Sequence, residues 1–313
     1  MNNDKNSGET RTSAVAADLP TPEKQSALTQ AVQGTIDQVV SVEQDDKRKQ
    51  IINEALKAVD ETKKALSALS NQQTAEALEA LAIVTGKLEV LIARDPKLAL
   101  APVEVHTIVH DLFAGPGTIT DIIEEAEYAL KHGEVQEARH LLSRLASEVV
   151  IQTTHLPLGT YPQAIKAVVP LLDEGKIDEA KAALEAVLGS LVVTNVTIPL
   201  PIERARALFK EAESLMEQAE RSDADGKRLL DMLGEARNQI EIAELLGYGR
   251  RKEEFKDLYD HLKELEKQAS AGKMGTGFFE EVTASFKGLF ERWKPSSERQ
   301  TERSNATCSS KEA

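Results

Sequence analysis

Residues 126–158 read AEYALKHGEVQEARHLLSRLASEVVIQTTHLPL, and residues 168–200 read VVPLLDEGKIDEAKAALEAVLGSLVVTNVTIPL. The second stretch repeats the first at an offset of 42 residues, without a gap. Gly133 lies over Gly175, Glu137-Ala138 over Glu179-Ala180, Leu142 over Leu184, Val150 over Val192, and Pro157-Leu158 over Pro199-Leu200. Where identity fails, character holds: Val135 over Ile177, Arg139 over Lys181, Leu145 over Val187. A unit of this length is a packing module that buries its apolar face by stacking on a neighbour. Each copy predicts a helix ending at a glycine of positive φ, an antiparallel helix, and then an extended segment. The extended segments are rich in Val, Ile and Thr. They read either as short strands that pair with one another or as connectors wrapped over helix ends.

The same grammar extends outward. Ile51, Ile52, Ala55, Leu56, Val59, Leu66 and Leu69 mark one helix face, and Ala77, Leu78, Leu81, Val84, Leu88 and Leu91 a second. The polar turn Asn71-Gln72-Gln73 stands near the place of His132-Gly133, and LALAPVEV from Leu98 takes the place of the extended segments. Ala114-Gly115-Pro116-Gly117 is a break. Thr160 and Pro162 are the expected cap and first turn of the helix that opens the second copy, and Pro170 is a local conflict that should kink that helix. A third pair runs from Pro201, turns at Ser222 to Gly226, and closes at Gly247 and Gly249. We therefore expect an all-α protein of stacked antiparallel helix pairs with short extended or β connectors.

The run PLGTYPQAIKAVVPLLDEGKIDEAKAALEAVLGSLVVTNVTIPLPIERARALFKEAESL resembles the YfdX family of bacterial stress proteins. It has a proline-led helix, a Gly-Lys turn, an Ala/Leu helix and an apolar extended segment ending in Pro-Leu-Pro. The resemblance covers residues 50 to 247. It implies a mainly helical, oligomer-forming protein, made in response to acid, heat or drug stress. It also implies chaperone-like protection and binding of small ligands, without catalysis and without a cofactor. Tetratricopeptide pairs fit less well, since their period is 34 residues.

The remaining domains follow from composition. Residues 1–22 and 295–313 read as disordered polar tails. Residues 23–45 read as an N-terminal helix and linker, followed by the solvated charge cluster QDDKRKQ. The helical repeat core occupies 46–249, a charged helix 250–270, a glycine hinge 271–277 and an amphipathic aromatic helix 278–294. The formal charge of −14, from 52 acidic and 38 basic side chains, argues against nucleic acid as a partner. Cys308 is the only cysteine, so intramolecular disulfides and multi-thiolate metal sites are excluded. The N-terminus has no apolar core of a secretory signal, and no apolar run is long enough to span a bilayer. The expectation is a cytoplasmic protein. The alternative is the periplasm, as for family members with a signal peptide.

No nucleophile elbow, P-loop or dinucleotide fingerprint is present, so we expect no enzyme; the rival is a catalytic cleft between helix pairs. A third class is a structural adaptor. His106 and His110 stand four apart, which on a helix would put both imidazoles on one face as zinc ligation requires. No glutamate follows the first and no third ligand is near, so no metal is assigned. His132, His140 and His155 fall in the repeats as surface or turn residues. The strongest functional signal is the stripe Phe278, Phe279, Val282, Phe286, Leu289, Phe290 and Trp293, which falls within an arc of roughly 120° on a helix. It either docks on the chain's own core or is a tethered element that engages unfolded or partner proteins. The glycine-rich junction before it favours tethering. Its polar face is mixed in sign, which argues against a membrane surface.

Overall fold

A computed structural model describes residues 26–218, 222–249, 252–272, 279–282 and 284–285. The two polar tails, 1–22 and 295–313, lie outside the described residues. After an opening helix α1 (Ala27–Lys49), one arrangement occurs three times: two helices, then a strand. The first unit is α2 (Asn53–Ser70), α3 (Thr74–Arg94) and β1 (Leu100–His110). The second is α4 (Pro116–Lys131), α5 (Val135–Leu142) and β2 (Glu148–Pro157). The third is α6 (Tyr161–Asp173), α7 (Ile177–Leu188) and β3 (Val192–Pro199). Helices α8 (Leu200–Met216), α9 (Asp223–Leu245) and α10 (Lys252–Ser270) complete the described chain apart from a short aromatic segment.

The turns inside the units share one mechanism. Gly133 and Gly175 have φ of 77° and 73°. The next N–H then reaches back: Glu134 donates to the Ala129 carbonyl at 2.9 Å and Lys176 to that of Leu171 at 2.8 Å. Carbonyls that the helix end would leave unpaired are thereby satisfied. Gln72 takes the same place in the first unit, with φ of 61°, and Gln73 donates to the Ala68 carbonyl at 2.9 Å.

The extended segments do pair. They form one antiparallel sheet in the order β1-β2-β3, with Gln152 opposite both His106 and Asn195. The register of β1 shifts between Pro102 and Glu104, which makes Val103 a bulge. One core packs α2 and α3 against α6 and α7 through Ala58, Leu81, Leu88, Ile165 and Leu184. A second gathers α1, α8, α9 and α10 over one face of the sheet, through Ile36, Ile151, Ile198, Leu208, Leu233 and Leu262.

Several expectations need correction. Helix α1 runs through the charge cluster to Lys49, where Lys47, Arg48 and Lys49 face the negative end of the helix dipole. Ser222 to Gly226 is not a turn. Ser222 caps α9 in a reciprocal pair with Asp225, so Gly226 is helical. Thr160 occupies the cap position of α6, but its side chain makes no cap hydrogen bond. Helix α6 continues past Pro170 to Asp173, so the proline, which has no N–H to donate to the carbonyl four residues back, costs the helix one backbone bond without ending it. The charged helix α10 is part of the core: Phe255, Leu258, Leu262 and Leu265 are all buried against the second cluster.

Candidate functional site

The second and third units differ in what covers them. Helices α6 and α7 lie against α3 and α2. Helix α4 rests on α9, and the pair α4–α5 closes on itself through Ile119, Ala126, Ala129, Ala138 and Leu141. Some positions that are core in the third unit are therefore open in the second. Leu172 is 5% exposed, and its equivalent Leu130 is 51% exposed. Leu184 is fully buried, while Leu142 is 46% exposed. Ile177 packs against the first core, while Val135 is exposed. Tyr128 adds a further exposed ring, stacked on His132 with 4.0 Å between centroids. The pair α4–α5 thus presents core-type side chains to solvent.

A cavity of about 150 Å³ lies at the root of that pair, between the loop before α4 and helices α8 and α9. Arg204 is buried in its wall. Its Nη2 donates to Asp111 Oδ2 at 2.7 Å, and its guanidinium lies 6.0 Å from the centre of the Phe113 ring. Among the described residues, Arg204 Nε and Gln239 Oε1 are buried without a hydrogen-bond partner. The Gln239 amide is oriented by its Nε2, which donates to Glu235 Oε1 at 3.0 Å. The Ser147 N–H donates to Tyr248 Oη at 2.8 Å, and burial pushes that phenol's pKa up. The neighbouring Glu203 is also buried. Its Oε2 accepts from Arg206 at 3.2 Å, its Oε1 has no partner among the described residues, and burial raises its pKa. Asp111 pairs with Arg204, and the cavity wall combines polar Thr29, Glu235, Asn238 and Gln239 with apolar Leu112, Phe113 and Ile242.

Of the aromatic stripe, Phe279 and Val282 are described, and both are buried in the second core. Phe279 meets Phe209 edge-on, with 6.4 Å between ring centroids. A tethered helix would have left them exposed. Phe278, Phe286, Leu289, Phe290 and Trp293 lie outside the described residues, as do Gly275 and Gly277 of the hinge. His106 and His110 sit on strand β1 and not on a helix. Four residues of strand separate their Cα atoms by about 13 Å, which keeps them from sharing one ion. Among the described residues no group of three or more His, Cys, Asp or Glu side chains is placed to hold a metal. His132 ends α4, with Nδ1 2.7 Å from the Tyr128 carbonyl oxygen. His140 is exposed on α5, and burial lowers the pKa of His155 on β2. Sequence reasoning misses the exposed face of α4–α5. The repeat predicts the same apolar positions in both units and carries no sign of which one lacks a cover.

The YfdX protein family matches residues 58–197, which take in nearly all of the three helix-pair and strand units. Among solved structures, a crystal structure of Salmonella Typhi YfdX is similar at 19% identity, covering 48% of this chain and 93% of that one, with a TM-score of 0.33. No curated protein matches the chain. Among the described residues no helix is long and apolar enough to cross a membrane.

Proposed function

The chain belongs to the YfdX family through residues 58–197, and on that premise we propose that it is a non-enzymatic stress-response protein that binds exposed apolar segments of unfolded proteins. The observation that carries this reading is the contrast between Leu130 and Leu142 and their buried equivalents Leu172 and Leu184. Side chains of core character, held on a stable helix pair without a covering pair, gain hydrophobic free energy whenever an apolar segment lies over them. The stripe residues Phe286, Leu289, Phe290 and Trp293 extend the same role in this proposal. A second reading, a small-ligand carrier, is favoured by the cavity beside Arg204 and Gln239.

The test is suppression of heat-induced aggregation of an unrelated client. Near-stoichiometric wild-type protein is expected to suppress it. Leu130→Asp with Leu142→Asp is expected to keep the wild-type melting temperature and lose most of the protection. Full protection by that variant would remove the α4–α5 face from the mechanism.

A further inference from the structure

Strand β3 is an edge of the sheet, and its outer side is built to be paired. The Leu200 N–H donates to the Ser147 carbonyl at 3.0 Å, in the same register as Pro199 opposite Glu148. Inward hydrogen bonds therefore belong to Thr194, Val196 and Ile198, and the backbone groups of Val193, Asn195 and Thr197 point outward. No backbone bond from those three groups to a described residue outside the sheet is present. Their side chains also share one face, where Val193 is 54% exposed.

The two edges of the sheet are treated differently. Strand β1 has a bulge at Val103, a proline at 102, polar Glu104, His106 and His110, and helices α1 and α2 beside it. Those are the devices that stop an edge from templating another strand. Strand β3 reads VVTNVTIP: it has no charged residue, an unbroken register, and its proline only at the end. In a chain of net charge −14, an uncharged edge is where two copies approach with least repulsion.

We propose that β3 pairs with β3 of a second copy of this chain, antiparallel, about a two-fold axis through Asn195. The outward set is self-complementary under that axis. Asn195 faces Asn195, and Val193 faces Thr197 of the other copy, in both directions. All outward N–H and C=O groups of the three residues are satisfied together, and two three-stranded sheets become one of six. The side-chain row Ile108, Val150, Thr197 then continues into Val193 of the second copy, covering that exposed side chain. The pairing uses none of the α4–α5 face, so it stands or falls apart from the client-binding reading.

The experiment is sedimentation of the full chain across a concentration series, with disulfide mapping. Wild type is expected to approach twice 34.2 kDa. Asn195→Lys places like charges across the axis and is expected to run as a monomer with an unchanged melt. In a Cys308→Ser background, Asn195→Cys is expected to link two chains on oxidation, since a facing pair brings Cα atoms to about 5.5 Å. Val193→Cys is expected not to link, because the two copies of residue 193 lie about 13 Å apart in this register. A monomeric wild type overturns the proposal, even if an extended peptide is found to bind β3 instead. So does a dimer that survives Asn195→Lys, or equal linking through residues 193 and 195.

Discussion

Leu130 and Leu172 hold the same place in two successive units, yet Leu130 stands 51% exposed on α4 and Leu172 is 5% exposed on α6. The difference comes from what each unit faces, since α6 and α7 are covered by α3 and α2. Truncation should read this directly. Leu172→Ala is expected to cost about 2–4 kcal/mol, from lost burial and the cavity left behind. Leu130→Ala is expected to stay within about 0.5 kcal/mol, as at other exposed sites. Urea unfolding midpoints of the two variants decide it. Equal losses would mean that Leu130 is covered in solution.

The three turns invite a comparison in both directions. Gly175 has φ of 73°, and a Cβ there would meet nothing within 4 Å. Gly175→Val therefore tests backbone strain alone, with an expected loss of roughly 1–3 kcal/mol. Gln72 already bears that strain at φ of 61°. Gln72→Gly is expected to gain a few tenths to about 1 kcal/mol, less the added freedom of the unfolded chain. Thermal melts of both variants give the answer, and a wild-type melt for Gly175→Val would mean that the turn can relax.

Glu203 links stability to pH. Burial raises its pKa above that of the unfolded chain, with Arg206 opposing. The unfolded state thus releases this proton first as pH rises, so the contribution of Glu203 to stability falls from about pH 4.3 upward and stays lowered at neutral pH. Glu203→Gln removes the ionisation and is expected to raise the melting temperature at pH 7. The gain should shrink as pH drops toward about 4, where the unfolded carboxyl also holds its proton. A gain of the same size at both pH values would assign the effect to packing.

The features legible in the sequence are those with local causes. Gly133 and Gly175 announce their turns because positive φ is a property of single residues, and the Val/Thr alternation before Pro199 announces an extended segment, strand or connector. Gln72 is placed by analogy to those glycines, through the polar turn around it. Contact between distant elements leaves no such local mark. The thin seam of Phe255, Leu258, Leu262 and Leu265 looks the same on a solvated helix as on one docked against α9, and here all four are buried. Arg204 and Asp111 meet across 93 residues, and no local pattern joins them. The exposed positions of α4–α5 carry the same residue types as their buried counterparts, so only the assembled fold separates them.

The aromatic segment is where folding and binding can be separated. Phe279 and Val282 are buried, and Phe279 packs edge-on against Phe209 of α8. Phe279→Ala is expected to cost about 3 kcal/mol. Deleting residues 272–313 removes both side chains and uncovers Phe209, so the loss should be at least as large, which is roughly 5 °C in melting temperature for a chain of this size. A melt within about a degree of wild type would show that the contact contributes nothing. Binding is then read in the full-length chain with Phe286→Asp and Trp293→Asp, which leave Phe279 and Val282 in place. If those two residues engage clients, protection against aggregation falls while the melt stays at the wild-type value. If they only help hold the segment on the core, both fall together. Protection that stays complete in the double variant would restrict client binding to the α4–α5 face.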